Sequence, residues 1–149
     1  MKVLFRVLVL IFGITGVPTS SFAESGWFWQ NPPHGGNPFF AVATVRASTV
    51  VAVGDGGIIL RSSDGGATWT LQSSGTTNAL AGVSFVDADT GSAVGQGGTI
   101  LRTTNGGATW TPQASPTRNV LQGVSFVGAS IGTVVGKGGA ILRTTTGGE

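Results

Sequence analysis

Ser62-Ser63-Asp64-Gly65-Gly66-Ala67-Thr68-Trp69 returns 41 residues later as Thr103-Thr104-Asn105-Gly106-Gly107-Ala108-Thr109-Trp110, and a third copy begins at Thr144 and runs to Glu149. The period extends well beyond these octamers. Gly54, Gly95 and Gly136 coincide, as do Arg61, Arg102 and Arg143, and Asn37, Asn78 and Asn119. Self-similarity at a fixed period of this length marks an array of equivalent supersecondary units.

One unit reads as four short strands joined by turns. In the second, Leu80 to Val86 is a first strand, with Ala81, Val83 and Phe85 placed on one face by alternation. Asp87-Ala88-Asp89-Thr90-Gly91 turns into a second strand at Ser92 to Gly95, and Gln96-Gly97-Gly98 supplies the positive-φ residues of a tight hairpin. Thr99 to Thr103 and Thr109 to Gln113 are the third and fourth strands, with Asn105-Gly106-Gly107 between them. Helical periodicity is absent, so the class is all-β. Four antiparallel strands in a unit of 41 residues, with one Trp per unit, suit a β-propeller blade better than a solenoid coil.

Within the octamer, Asp64 or Asn105 is placed to accept hydrogen bonds from backbone amides two residues on, while the glycines take conformations closed to other residues. Ser62 or Thr103 adds a hydroxyl on the other side. Trp69 and Trp110 each offer about 150 to 250 Å² for burial against the next element.

Met1 to Ala23 reads as a secretory signal peptide: Lys2 and Arg6, an apolar run from Val7 to Val17, then Ser21-Phe22-Ala23 before Glu24. That apolar run is shorter than the about 20 residues of a bilayer span. Beyond residue 23, six basic residues face six acidic ones, so the high isoelectric point of the whole chain reflects Lys2 and Arg6. No cluster of Lys or Arg suggests a nucleic-acid or anionic membrane surface. The chain has no Cys, which removes disulfides and a lipoprotein anchor, and leaves burial and backbone pairing to hold the fold.

Residues 24–36 are rich in Trp and Pro, but they are in register with the repeat. Trp27, Gln30 and Pro33 keep the spacing of Trp110, Gln113 and Pro116, which makes this stretch the fourth-strand tail of a unit. Units then run over 37–77, 78–118 and 119–149.

Ser62-x-Asp64-x-Gly66-x-x-Trp69 resembles the Asp-box, or bacterial neuraminidase repeat, of sialidases and other propellers. The longer pattern Leu80-x-x-Val83-x-Phe85, Gly91-x-x-Val94-Gly95-x-Gly97-Gly98-x-Ile100-Leu101-Arg102-Thr103 is similar to the photosystem II stability and assembly factor family and its bacterial relatives. So is the opening Trp27-x-x-Gln30-Asn31-Pro32. The second box departs from that pattern with Asn105 for Asp, and the third has Thr146.

The resemblance implies a propeller scaffold that binds protein partners, without enzymatic activity, in the assembly of a membrane complex; photosystem II is the precedent. The alternative is a carbohydrate- or cell-surface-binding propeller. Sialidase chemistry, as that family implies, needs a Tyr nucleophile paired with Glu; the chain has no Tyr, and beyond the leader its Glu residues are Glu24 and Glu149 only. His34 is the sole His, so neither a Ser-His-Asp triad nor a multi-His metal site can form, and no cofactor is expected. Asp55, Asp64, Asp87 and Asp89 match no calcium-loop spacing and read as turn caps.

Arg61, Arg102 and Arg143, at one repeat position, form an arc of like charge that could take an acidic partner peptide; the competing reading has each stack on a neighbouring Trp or pair with a turn carboxylate such as Asp55. The aromatics Trp27, Phe28, Trp29, Phe39 and Phe40 could form a binding surface; the competing and favoured reading places them buried between blades. About three blades are counted, fewer than the about four that a closed ring needs. Two explanations follow: a truncated copy, or several chains completing one ring with the Trp27 strand serving the blade that starts at Asn119. Export to the periplasm or cell exterior is expected, or to the thylakoid lumen in a photosynthetic source.

Overall fold

A computed structural model describes Gln30 and residues 36–149. The signal peptide, the tail around Trp27 apart from Gln30, and His34 lie outside the described residues. Three antiparallel sheets follow one another along the chain. The first holds β1 (Phe39–Thr44), β2 (Val50–Gly54), β3 (Ile59–Ser62) and β4 (Thr70–Gln72). The second holds β5 (Leu80–Phe85), β6 (Gly91–Gly95), β7 (Ile100–Thr103) and β8 (Thr111–Pro112). The third holds β9 (Leu121–Val127), β10 (Ile131–Gly136) and β11 (Ile141–Thr144). Each strand pairs with its sequence neighbour, which is the meander of a propeller blade.

Local chemistry accounts for the meander. Each β2-type strand passes into the third through a 3-10 turn, Asp55–Gly57, Gln96–Gly98 or Lys137–Gly139, rather than the tight hairpin that the glycines suggest. The requirement for positive φ is real: Gly97 and Gly98 stand at +64° and +73°. No N-cap side chain supports these turns; the N–H of Thr99 closes one on the carbonyl of Gln96, to which the Thr99 hydroxyl also donates at 2.7 Å.

A bulge corrects the alternation expected for the first strand. In β5 the register slips between Leu80, opposite Gly95, and Gly82, opposite Val94, so Ala81 is the extra residue. Leu80 thereby joins Val83 and Phe85 on the core face, and Ala81 is only half-buried. The same slip recurs in β1 and β9.

The core lies between blades. Leu80 packs with Val53 and Ile59 of the first blade, together with Val51, Ala93, Leu101 and Trp110. One repeat later Leu121 packs with Val94 of the second blade and Val134. Burying a Leu side chain stabilises by about 1.5 to 3 kcal/mol, so Leu80 and Leu121 each strengthen their seam on that scale beside their neighbours. Among the described residues no helix is long and apolar enough to cross a membrane.

Candidate functional site

The box turns and the arginines share one rim. In the first box the Ser62 hydroxyl accepts the N–H of Gly66 at 2.8 Å and donates to Asp64 Oδ1 at 2.8 Å. Asp64 in turn accepts the N–H of Thr68 at 2.9 Å and its hydroxyl at 2.6 Å. In the second box Thr103 and Asn105 repeat this, with the N–H of Gly107 on Thr103 Oγ1 at 3.0 Å and that of Thr109 on Asn105 Oδ1 at 2.9 Å. The polarity of the last bond reverses: Asn105 Nδ2 donates to the Thr109 hydroxyl at 2.8 Å. In the third box Thr144 Oγ1 accepts the N–H of Gly148 at 2.9 Å.

Asp64 is held at about 2, below its ordinary 3.8, first by the Thr68 hydroxyl and then by the Thr68 N–H and the Ser62 hydroxyl. Asp87 is also lowered, chiefly by the N–H groups of Thr90 and Asp89. Both carboxylates therefore cap turns, as expected of them.

The two box tryptophans differ. Trp110 is 8% exposed, meets Phe85 edge to face at 6.0 Å between ring centres, and donates Nε1 to the Gly107 carbonyl at 3.2 Å. Trp69 is half-buried rather than buried, and its Nε1 donates to Gln30 Oε1 at 3.3 Å.

Arg61 Nε donates to the Gly106 carbonyl at 2.8 Å, and Arg102 donates to the carbonyls of Gly147 and, at 3.2 Å, Ala129. Each arginine thus reaches from its own blade to the box turn of the next. Neither bond is the stacking on Trp or the pairing with Asp55 considered from the sequence. Arg143, at the same repeat position, is exposed. One ion pair also spans the first seam, Arg46 to Asp89 at 3.2 Å, with both side chains largely exposed.

Phe39 and Phe40 are exposed rather than enclosed between blades, and Trp27, Phe28 and Trp29 lie outside the described residues. A groove of about 430 Å³ opens between the second and third blades, beside Phe126, Leu142 and Gly148. A wider depression of about 840 Å³ lies on the first blade, beside Asn37, Gln72 and Thr76. Neither gathers the paired carboxylates or nucleophile and base that hydrolysis uses. The acceptors of the arginines were not singled out from the sequence; the constant spacing from Arg61 to Gly106 and from Arg102 to Gly147 was the available signal.

The family described as Photosynthesis system II assembly factor YCF48 matches residues 69–149. Among solved structures, the chain is similar to YCF48 bound to a D1 peptide, with a TM-score of 0.69 and 22% identity over 76% of this chain and 38% of that one. It is similar also to YCF48 from Cyanidioschyzon merolae, with a TM-score of 0.67 and 25% identity over 75% of this chain and 38% of that one. An ancestral GH74 enzyme shares the fold at a TM-score of 0.62 and 18% identity, over 80% of this chain and 19% of that one. The chain therefore spans 38% of the length of the YCF48 structures. A comparison with curated proteins returns no match.

Proposed function

Since the chain belongs to the family of photosynthesis system II assembly factor YCF48, we propose that it is an exported, non-enzymatic propeller scaffold that binds a segment of a protein during assembly of a membrane complex. The single observation that carries this reading is the family match over residues 69–149. The D1 peptide bound to a similar YCF48 supports a peptide segment as the class of partner.

Two features of the residues support the absence of catalysis. The carboxylates of Asp64 and Asp87 are occupied in capping turns. The chain has no Tyr for a sialidase nucleophile. Export rests on the leader-like pattern of residues 1–23.

The test is titration of the purified protein with overlapping synthetic peptides that tile D1, beside a panel of oligosaccharides. Saturable binding of one peptide window, with no response to glycans, is expected. Binding of glycans without peptides would replace this reading with a carbohydrate-binding one.

A further inference from the structure

The second box joins a side-chain acceptor to a glycine at consecutive positions. The acceptor is Asn105, whose Oδ1 takes the N–H of Thr109 at 2.9 Å and whose Nδ2 donates to the Thr109 hydroxyl at 2.8 Å. The glycine is Gly106, at a φ of +67°, where a Cβ would stand 3.0 Å from the Ala88 carbonyl oxygen. These two demands of the turn create the only Asn-Gly pair in the chain; the other asparagines precede Pro, Ala or Val.

An asparagine followed by glycine is open to attack by its own backbone. With no side chain in the way, the glycine amide nitrogen, once it sheds its proton, adds to the asparagine Cγ. The bond from Cγ to the side-chain nitrogen then breaks, ammonia leaves and a cyclic succinimide remains. Water opens that ring at either carbonyl. One opening gives aspartate; the other gives isoaspartate, in which the main chain runs through Cβ and Cγ. The net change consumes water and releases ammonia, with no oxidant or reductant.

The folded turn blocks the first step in three ways. The N–H of Gly106 donates to the Asp89 carbonyl at 2.8 Å, so the proton that must leave is held by an acceptor. Both polar atoms of the Asn105 amide are engaged with Thr109, and Oδ1 also accepts the Thr103 hydroxyl at 3.0 Å, which fixes the electrophilic carbon. Gly106 itself is buried, and its carbonyl accepts Arg61 Nε from the preceding blade.

We propose that Asn105 is a site of hydrolytic modification, closed while the second box is docked at the first seam and open when that box swings free. Water is the co-reactant. The two products act differently on the fold. Aspartate suits the turn: Asp64, at the same position of the first box, accepts the N–H and the hydroxyl of Thr68 at 2.9 and 2.6 Å. Isoaspartate adds a carbon to the main chain between Thr103, which accepts the N–H of Gly107 at 3.0 Å, and Gly106, which is tied to Asp89. Both bonds cannot then form in register. A chain whose box stays open is thereby marked, part of it converting to the carboxylate form and part losing the seam.

The test uses protein purified from expression of the full coding sequence, held in mildly alkaline heavy-oxygen water, folded or in urea, and followed by peptide mass. In urea the peptide carrying Asn105 should take up label and contain both aspartate and isoaspartate; no label there would overturn the site. The folded protein should convert at least about tenfold more slowly, because opening of the turn limits the rate. Equal rates in the two conditions would overturn the gate, a comparison that needs no variant to fold. Arg61→Ala releases Gly106 and should speed conversion of the folded protein by about tenfold. Arg102→Ala, which acts on the third box, should not; equal acceleration by both would put control in unfolding of the whole chain and overturn the gate. After dilution out of urea, aspartate should appear in the folded fraction and isoaspartate should be depleted from it. Isoaspartate chains that refold as well as the rest would overturn the marking.

Discussion

Arg61 and Gly106 lie 45 residues apart, yet the guanidinium of one donates to the carbonyl of the other at 2.8 Å, across the seam between the first two blades. The bond is partly buried, so water cannot fully replace it. Arg61→Ala should lower stability by about 1.5 to 3 kcal/mol, the range for a hydrogen bond with a charged donor. Arg61→Lys should recover only part of that, because a Lys ammonium cannot reproduce the planar fork. Urea denaturation of the two variants checks both; an unchanged midpoint for Arg61→Ala would remove the clamp.

Trp110 and Trp69 should separate on truncation. Trp110→Ala removes a buried ring from the first seam and is expected to cost about 3 to 5 kcal/mol. Trp69 is half-buried, and Trp69→Ala should cost less. Equal losses in chemical denaturation would contradict the difference in burial.

Acid should act on one box and spare the other. Asp64 titrates at about 2 in the folded protein against an ordinary 3.8, so its contribution is fully present above about 4 and is lost as pH falls through about 2. Asn105 makes the equivalent bonds without a titrating group. In Asp64→Asn the melting temperature should therefore fall less between pH 4 and pH 2 than in the unmodified protein, with Asp87 leaving a residual decline in both.

Two glycines with the same backbone should respond differently to Ala. Gly98 and Gly139 have φ of +73° and +72°. A Cβ on Gly98 would stand 1.9 Å from the Thr117 carbonyl oxygen, whereas one on Gly139 meets nothing within 4 Å among the described residues. Gly139→Ala should cost about 1 to 2 kcal/mol from the left-handed conformation alone. Gly98→Ala should cost more, and its loss of soluble expression beside a well-behaved Gly139→Ala would be the readout.

Much of the fold was legible because it is repeated. Ser62, Asp64, Gly66 and Trp69 against Thr103, Asn105, Gly107 and Trp110 set the period, and the period brought four strands per unit with it. What escaped was set by geometry between units. The bulge at Ala81 leaves no local mark, since alternation alone places Ala81 inward and Leu80 outward; the neighbouring blade decides in favour of the larger side chain. The arginines were visible as an arc, but their acceptors are backbone carbonyls, which every residue has. Only the turn that brings Gly106 and Gly147 to the seam makes those two available.

The forward reach of Arg61 and Arg102 also orders events in time. During synthesis, Arg61 has no acceptor until Gly106 has emerged, 45 residues later, and Arg102 waits in the same way for Gly147. At about 5 to 20 residues per second, each blade stays unclamped for a few seconds. If the chain is exported as proposed, it would remain loosely joined while threading and would tighten blade by blade afterwards.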